Sequence, residues 1–189
     1  MEPFKKISSV ATPLDKVNVD TDQIIPKQFL KLIQRTGFGQ YLFYDWRYEK
    51  GVPKKDFILN DPAYENSRIL LARDNFGCGS SREHAVWALD DYGFKVIIST
   101  SFADIFYNNC FKNGILPIRV SDEILQKLFS TRSKIEINLE DQSIKADDVQ
   151  VSFDIEPHWK KILLEGLDDI AVTLQHEDAI VRYEKSHKV

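Results

Sequence analysis

The sequence predicts an α/β domain built on parallel βαβ units and closed by a helical C-terminal tail. Three observations carry this. Ile69, Leu70 and Leu71 form a short apolar run of strand character, followed by a glycine-rich turn and then by Ala85, Val86, Ala88 and Leu89 at helical spacing, with Gly93 as a stop. Residues 95–99 and 115–120 repeat the apolar run, and between them Phe102, Ile105, Phe106, Asn109 and Cys110 fall on one helical face. A strand, a helix and a second strand in this order put the two strands in parallel. Beyond Gly166, the residues Ile170, Val172, Leu174, Ala179, Ile180 and Tyr183 give a tail that reads as helix in two pieces.

The remaining elements follow in chain order. Residues 4–11 read as a first strand, with Pro13 expected to end it. Residues 17–26 meet an acidic turn, where Asp20 and Asp22 are either helix caps or carboxylates facing a site. Residues 29–42 suggest one or two helical turns broken at Gly37 and Gly39, and residues 41–67 read as a long ordered loop rich in aromatics. A loop of that kind is expected to pack down or meet a partner, and residues 29–66 are expected to be mobile in the isolated chain. Ser121 is a cap for a helix to about residue 129. Residues 134–139 and 149–153 alternate like strands, with a short strand at 143–145, and a helix over 157–164 ends at Gly166.

Composition narrows the function classes. The chain has 189 residues, 43% hydrophobic and 29% charged, with a net charge of -4, which fits one domain with a real core. Mild acidity argues against general nucleic-acid binding. No apolar run approaches the roughly 18 residues of a membrane span, and the N-terminus has no signal-peptide core, so a cytoplasmic location is the expectation. The two cysteines, Cys78 and Cys110, are too few for a disulfide framework and too few to hold an iron–sulfur cluster. Cys110 reads as a small core residue.

Chemistry concentrates in residues 75–84, NFGCGSSREH. Gly77 and Gly79 let the backbone turn sharply and let a ligand come close. The start of a helix presents unpaired N–H groups and the positive end of the macrodipole, favouring an anion such as a carboxylate. Ser80 followed by Glu83 also fits a capping box, in which both side chains do nothing but satisfy helix donors. Two adjacent serines leave one hydroxyl free for a ligand, and Arg82 adds a guanidinium fork that a cap does not need.

The stretch NFGCGSSREHAVWAL at residues 75–89 resembles the swivelling domain of the aconitase superfamily. The resemblance extends to VDTDQIIP at 19–26 and IISTSFADIFYNNCFKNGILPI at 97–118, and the tail LLEGLDDIAVTLQHEDAI at 163–180 is similar to that of the isopropylmalate dehydratase small-subunit branch. It implies an aconitase-like swivelling β/β/α domain over residues 1–165, including the loop at about 29–66, with 166–189 as a helical extension. It implies a hydro-lyase active only with a large subunit that carries a 4Fe–4S cluster, this chain binding no cofactor itself. Ser80 falls on the superfamily's base, Arg82 on its carboxylate-stabilising arginine, Ser81 and Gly79 beside them on the substrate, and Asp22 on a supporting active-site aspartate. His84 reads as structural. The superfamily pattern has a further arginine where Gln34 stands here. Either Arg35 takes its place, or Leu32 and Ile33 present an apolar wall to an isopropyl group. Related hydroxy acids, such as homocitrate or a methylated malate, and a non-catalytic anion-binding module are the competing readings.

Overall fold

A computed structural model describes residues 1–31 and 36–187 of the chain. The strands and helices, in chain order, are β1 (Lys6–Ser9), β2 (Ala11–Leu14), α1 (Thr21–Ile24), α2 (Tyr44–Arg47), β3 (Tyr48–Glu49), β4 (Val52–Pro53), β5 (Ile69–Ala72), α3 (Glu83–Tyr92), β6 (Val96–Ser99), α4 (Asp104–Lys112), β7 (Leu116–Arg119), α5 (Asp122–Ser130), β8 (Ile135–Asn138), β9 (Ser143–Ala146), β10 (Val149–Ser152), α6 (Pro157–Glu165), α7 (Asp169–Leu174) and α8 (Glu177–His187). Among these, β2-β5-β6-β7 form a parallel sheet and β1-β8-β9-β10 an antiparallel one, with β3 and β4 as a small hairpin.

The continuous apolar sequence of β5 is explained by its place in the middle of the parallel sheet, where both faces are covered. Leu70 and Ala72 point toward α3 and α4, packing with Val86, Leu89 and Phe106. Ile69 and Leu71 point to the other side, where Ile7, Ile135, Ile137 and Ile144 of the antiparallel sheet meet them. Strand β8, with one face in that core and the other toward solvent, alternates buried and half-buried residues instead.

Two features depart from the sequence expectations at the N-terminus. The single strand expected over residues 4–11 is two strands in different sheets: β1 pairs antiparallel with β8, while β2 pairs parallel with β5. Pro13 lies inside β2 instead of ending it, opposite Leu71. β2 is an edge strand, and so is β7, which holds Pro117. A proline without an N–H is tolerated at an edge, where one side of the backbone needs no partner.

Residues 36–67 pack onto the body, as expected of an ordered loop rich in aromatics. Phe38, Leu42 and Phe43 are fully buried. Phe29 stacks on Tyr41 with ring centroids 4.0 Å apart, and Phe43 on Trp46 at 5.5 Å. The Asp91 carboxylate, on α3, accepts the Gly37 and Gly39 amides at 2.7 and 2.9 Å. Gly39 sits so close to α3 that a Cβ there would lie 2.7 Å from the Tyr92 nitrogen.

Three helix ends agree with their sequence signals. Ser121 caps α5 through the Ile124 amide, Gly93 and Gly166 close α3 and α6 in left-handed conformation, and Cys110 is sealed in the core. The tail helices α7 and α8 bury none of their residues, leaving Ile170, Leu174 and Tyr183 exposed. Lys112 of α4 pairs with Asp169 at 3.5 Å.

Candidate active site

The C-terminal ends of three adjacent parallel strands build the site, where open α/β sheets bind ligands in general. After β5 the chain runs between its neighbours through two isolated bridges, Phe76 to Phe102 and Cys78 to Asp20. Phe76 donates to the Ser101 carbonyl at 3.1 Å and accepts from Ala103 at 3.1 Å on the β6 side. On the β2 side Gly77 donates to Val19 at 2.8 Å, and Thr21 donates to Cys78 at 2.9 Å. The motif is thereby laced to both adjacent segments before it turns into α3.

Glycine is required at position 77 by space as well as by angle. Its φ is +76°, and a Cβ would lie 2.1 Å from Cγ of Phe106, a buried side chain of α4. Gly79, at φ +88°, has room by comparison, with Asp20 Cβ at 3.4 Å. The two glycines thus serve different ends: one admits α4 against the motif, the other only turns the chain.

The capping-box expectation for Ser80 and Glu83 is not what forms. Helix α3 begins at Glu83 with Arg82 as its N-cap and has no side-chain cap. The Glu83 carboxylate instead accepts from Asn113 at 3.0 Å, and Asn113 accepts from Trp87 Nε1 at 3.0 Å. Ser80 and Ser81 are left exposed at the mouth of an uncapped helix.

The two aspartates separate in role. Asp20 is a cap, its carboxylate accepting the Gln23 amide at 2.7 Å while the Gln23 side chain accepts from the Asp20 amide at 2.9 Å. Asp22 faces the motif: Oδ1 is paired with Nη1 of Arg82, and Oδ2 lies 3.3 Å from Lys27 Nζ. The Arg82 side chain is 16% exposed against 39% for Asp22, so the guanidinium is the more enclosed partner. With five N–H donors and a single nitrogen paired to Asp22, it keeps donors for a second anion.

A cavity of about 260 Å³ opens at this point, lined by Thr21, Gly77, Gly79, Ser80, Ser81 and Arg82 on one wall and by residues 103–106 on the other. Ser80, Ser81, Gly79 and Arg82 are therefore brought together, with Asp22 behind Arg82. Leu32, Ile33 and Arg35 lie outside the described residues. His84 packs against Trp87 and Phe38, with centroids 4.6 and 5.3 Å away, in keeping with a structural part. Cys78 is half-buried, and burial with the Asp20 carboxylate pushes its thiol above the ordinary value.

Sequence reasoning missed Thr21 and residues 104–105 at the cavity. Helical spacing puts Ile105 on the buried face of its helix. It is instead 56% exposed, because α4 starts at Asp104 and turns Phe106, Cys110 and Phe111 inward. Thr21 carried no signal of its own beyond its position next to Asp22.

Residues 1–123 match the family described as the aconitase C-terminal domain, and residues 169–189 match the C-terminal domain of the 3-isopropylmalate dehydratase small subunit. The 3-isopropylmalate dehydratase small subunit of Brevibacillus brevis is 56% identical, over 97% of this chain and 98% of its own. That of Agrobacterium fabrum is 55% identical, over 99% and 96%. The chain belongs to the 3-isopropylmalate dehydratase small-subunit family. This is a hydro-lyase family of leucine biosynthesis. A crystal structure of 3-isopropylmalate dehydratase from Methanocaldococcus jannaschii shares the fold, with a TM-score of 0.69 over 95% of this chain and 99% of that one, at 24% identity.

Proposed function

We propose that this chain supplies the base and the carboxylate-binding groups to a heteromeric enzyme that interconverts 2-isopropylmalate and 3-isopropylmalate through isopropylmaleate. The observation that carries the reading is the convergence of Ser80, Ser81 and Arg82 on one cavity at the uncapped start of α3, with Arg82 held by Asp22. Shifting a hydroxyl to the neighbouring carbon requires a proton to leave a carbon next to a carboxylate. Ser80 Oγ takes that proton. A serine oxygen is basic enough only as an alkoxide, whose charge the α3 N-terminus and Arg82 both offset. Arg82 also holds a substrate carboxylate through the donors that Asp22 leaves free, and Ser81 and the Gly79 backbone border the substrate. The remaining substrate contacts are assigned either to Arg35 or to an apolar wall made by Leu32 and Ile33.

An iron–sulfur cluster of the kind this chemistry uses is held by several cysteine thiolates. This chain has Cys78 and Cys110, the second fully buried and both held above the usual thiol range by burial, so its own residues do not fit as ligands. The reading assigns a 4Fe–4S cluster to the large subunit, where it supplies a Lewis acid for the substrate hydroxyl.

The test is dehydration of 3-isopropylmalate by this chain co-purified anaerobically with a cluster-bearing large subunit. Ser80→Ala is expected to lower kcat by about 10²–10⁴-fold, the range of general-base catalysis, while the complex still forms. Full activity of Ser80→Ala would overturn the assignment of the base. Turnover of another hydroxy acid in place of isopropylmalate would overturn the substrate.

A further inference from the structure

We propose that Asp104 and Ile105 are specificity-determining residues, which together admit an apolar branch on the substrate and exclude a branch that carries a further carboxylate. The inference rests on the reading of the cavity as the isopropylmalate site. Both residues stand at the start of α4, on the wall that faces Ser80, Ser81 and Arg82. Ile105 is 56% exposed although its neighbour Phe106 is buried, so its apolar surface is turned out of the core. Asp104 is exposed as well, and among the described residues its carboxylate meets no cation and no hydrogen-bond donor.

The cavity is therefore polarised. One wall offers the Arg82 guanidinium, two serine hydroxyls and the N-terminus of α3, and it attracts anions. The other wall offers a negative charge and an apolar side chain, with no cation among the described residues that line it. With a carboxylate on Arg82, the isopropyl branch of the substrate turns toward Ile105, where two apolar surfaces leave water together. A branch ending in a carboxylate would instead bring a like charge beside Asp104 with nothing to offset it. Both devices are needed, because an apolar contact alone separates similar ligands weakly. The α4 N-terminus also favours a carboxylate at position 104, a contribution to stability that is blind to which ligand is bound.

Isopropylsuccinate and tricarballylate make a matched pair of non-reacting probes: both are substituted succinates, the first with an isopropyl branch and the second with a carboxymethyl branch. Their Ki values are measured against 3-isopropylmalate turnover in the complex with the large subunit. Asp104→Asn is expected to lower the ratio of the tricarballylate Ki to the isopropylsuccinate Ki by about tenfold to hundredfold, whereas Asp104→Glu, which keeps the charge, should hold it within about threefold. Ile105→Ala is expected to raise the isopropylsuccinate Ki about tenfold while the tricarballylate Ki moves by less than about twofold. An unaltered ratio in Asp104→Asn, or an equal change in Asp104→Glu, would overturn the exclusion. Equal shifts of both Ki values in Ile105→Ala would overturn the apolar contact. Weakened assembly at unchanged Ki ratios would make this wall a subunit contact instead. If Asp104→Asn does not assemble at all, Asp104→Ser takes its place, and failure of both would confine Asp104 to folding. A wild-type complex that does not turn over 3-isopropylmalate would overturn the reading of the cavity and this inference with it; where it does turn over, the ratios decide the inference alone.

Discussion

Replacing Gly77 by alanine should damage this protein far more than the same change at Gly79, although both glycines lie in one turn with positive φ. At Gly79 the new methyl meets nothing nearer than the Asp20 Cβ at 3.4 Å, an ordinary contact, so the cost is the left-handed backbone, about 1–2 kcal/mol. At Gly77 the same backbone cost is joined by an impossible contact, with Phe106 Cγ at 2.1 Å and its Cδ atoms at 2.5 and 2.6 Å. Phe106 is 3% exposed and meets Phe76 edge-on at 5.4 Å, so the ring can move only by giving up that packing. Overpacking of this kind costs about 1–3 kcal/mol more. For a chain of this size each kcal/mol moves Tm by about 2–4 °C, so the two variants should differ by about 2–12 °C in thermal melts. Denaturant titration should show the same order with unchanged m values. Because the clash is with one side chain, the extra loss should shrink in a Phe106→Ala background, where Cγ is gone. Equal losses for Gly77→Ala and Gly79→Ala, or a cost at Gly77 that Phe106→Ala leaves unaltered, would refute the steric argument.

Two further predictions concern the body that supports the site. Asp91→Ala removes the acceptor shared by the Gly37 and Gly39 amides and should lower stability by about 1–3 kcal/mol in denaturant titration, whereas Asp91→Asn keeps an acceptor and should recover part of it. Equal losses for the two variants would show that this carboxylate does not hold the segment. Burial raises the Cys110 thiol well above its ordinary 9.0, and burial also raises Cys78, Tyr92 and Tyr107. Above pH 9 the unfolded chain then releases protons that the folded chain keeps, so the stability these groups contribute is complete below pH ~9 and is lost as pH rises past it. Thermal melts from about pH 8 to about pH 10.5 should show Tm falling, less steeply in Cys110→Ala. A level Tm over that range would refute the assignment.

Wherever neighbours in sequence decide the outcome, the sequence was legible. The apolar run at β5 forms a buried parallel strand, and helices α3, α5 and α6 stop or start at Gly93, Ser121 and Gly166 because caps and glycine stops act within a turn of the backbone. The cluster Ser80, Ser81 and Arg82 could be found for the same reason: its chemistry is packed into three consecutive residues. Local signals failed where a distant partner chose between two permissible states. Glu83 satisfies the pattern of a capping box, but Asn113, 30 positions away, takes its carboxylate. Pro13 is a strand breaker by rule and a strand residue in fact, because only the sheet order makes β2 an edge. Asp20 and Asp22 look alike in the sequence, and Arg82 separates them. The amino-acid sequence by itself determined most of the elements and pointed to the consecutive cluster Ser80, Ser81 and Arg82, since propensity, capping and periodicity are short-range. Only the tertiary structure decided which hydroxyl holds which carbonyl and which carboxylate meets the guanidinium, since those bonds join segments about 60 residues apart.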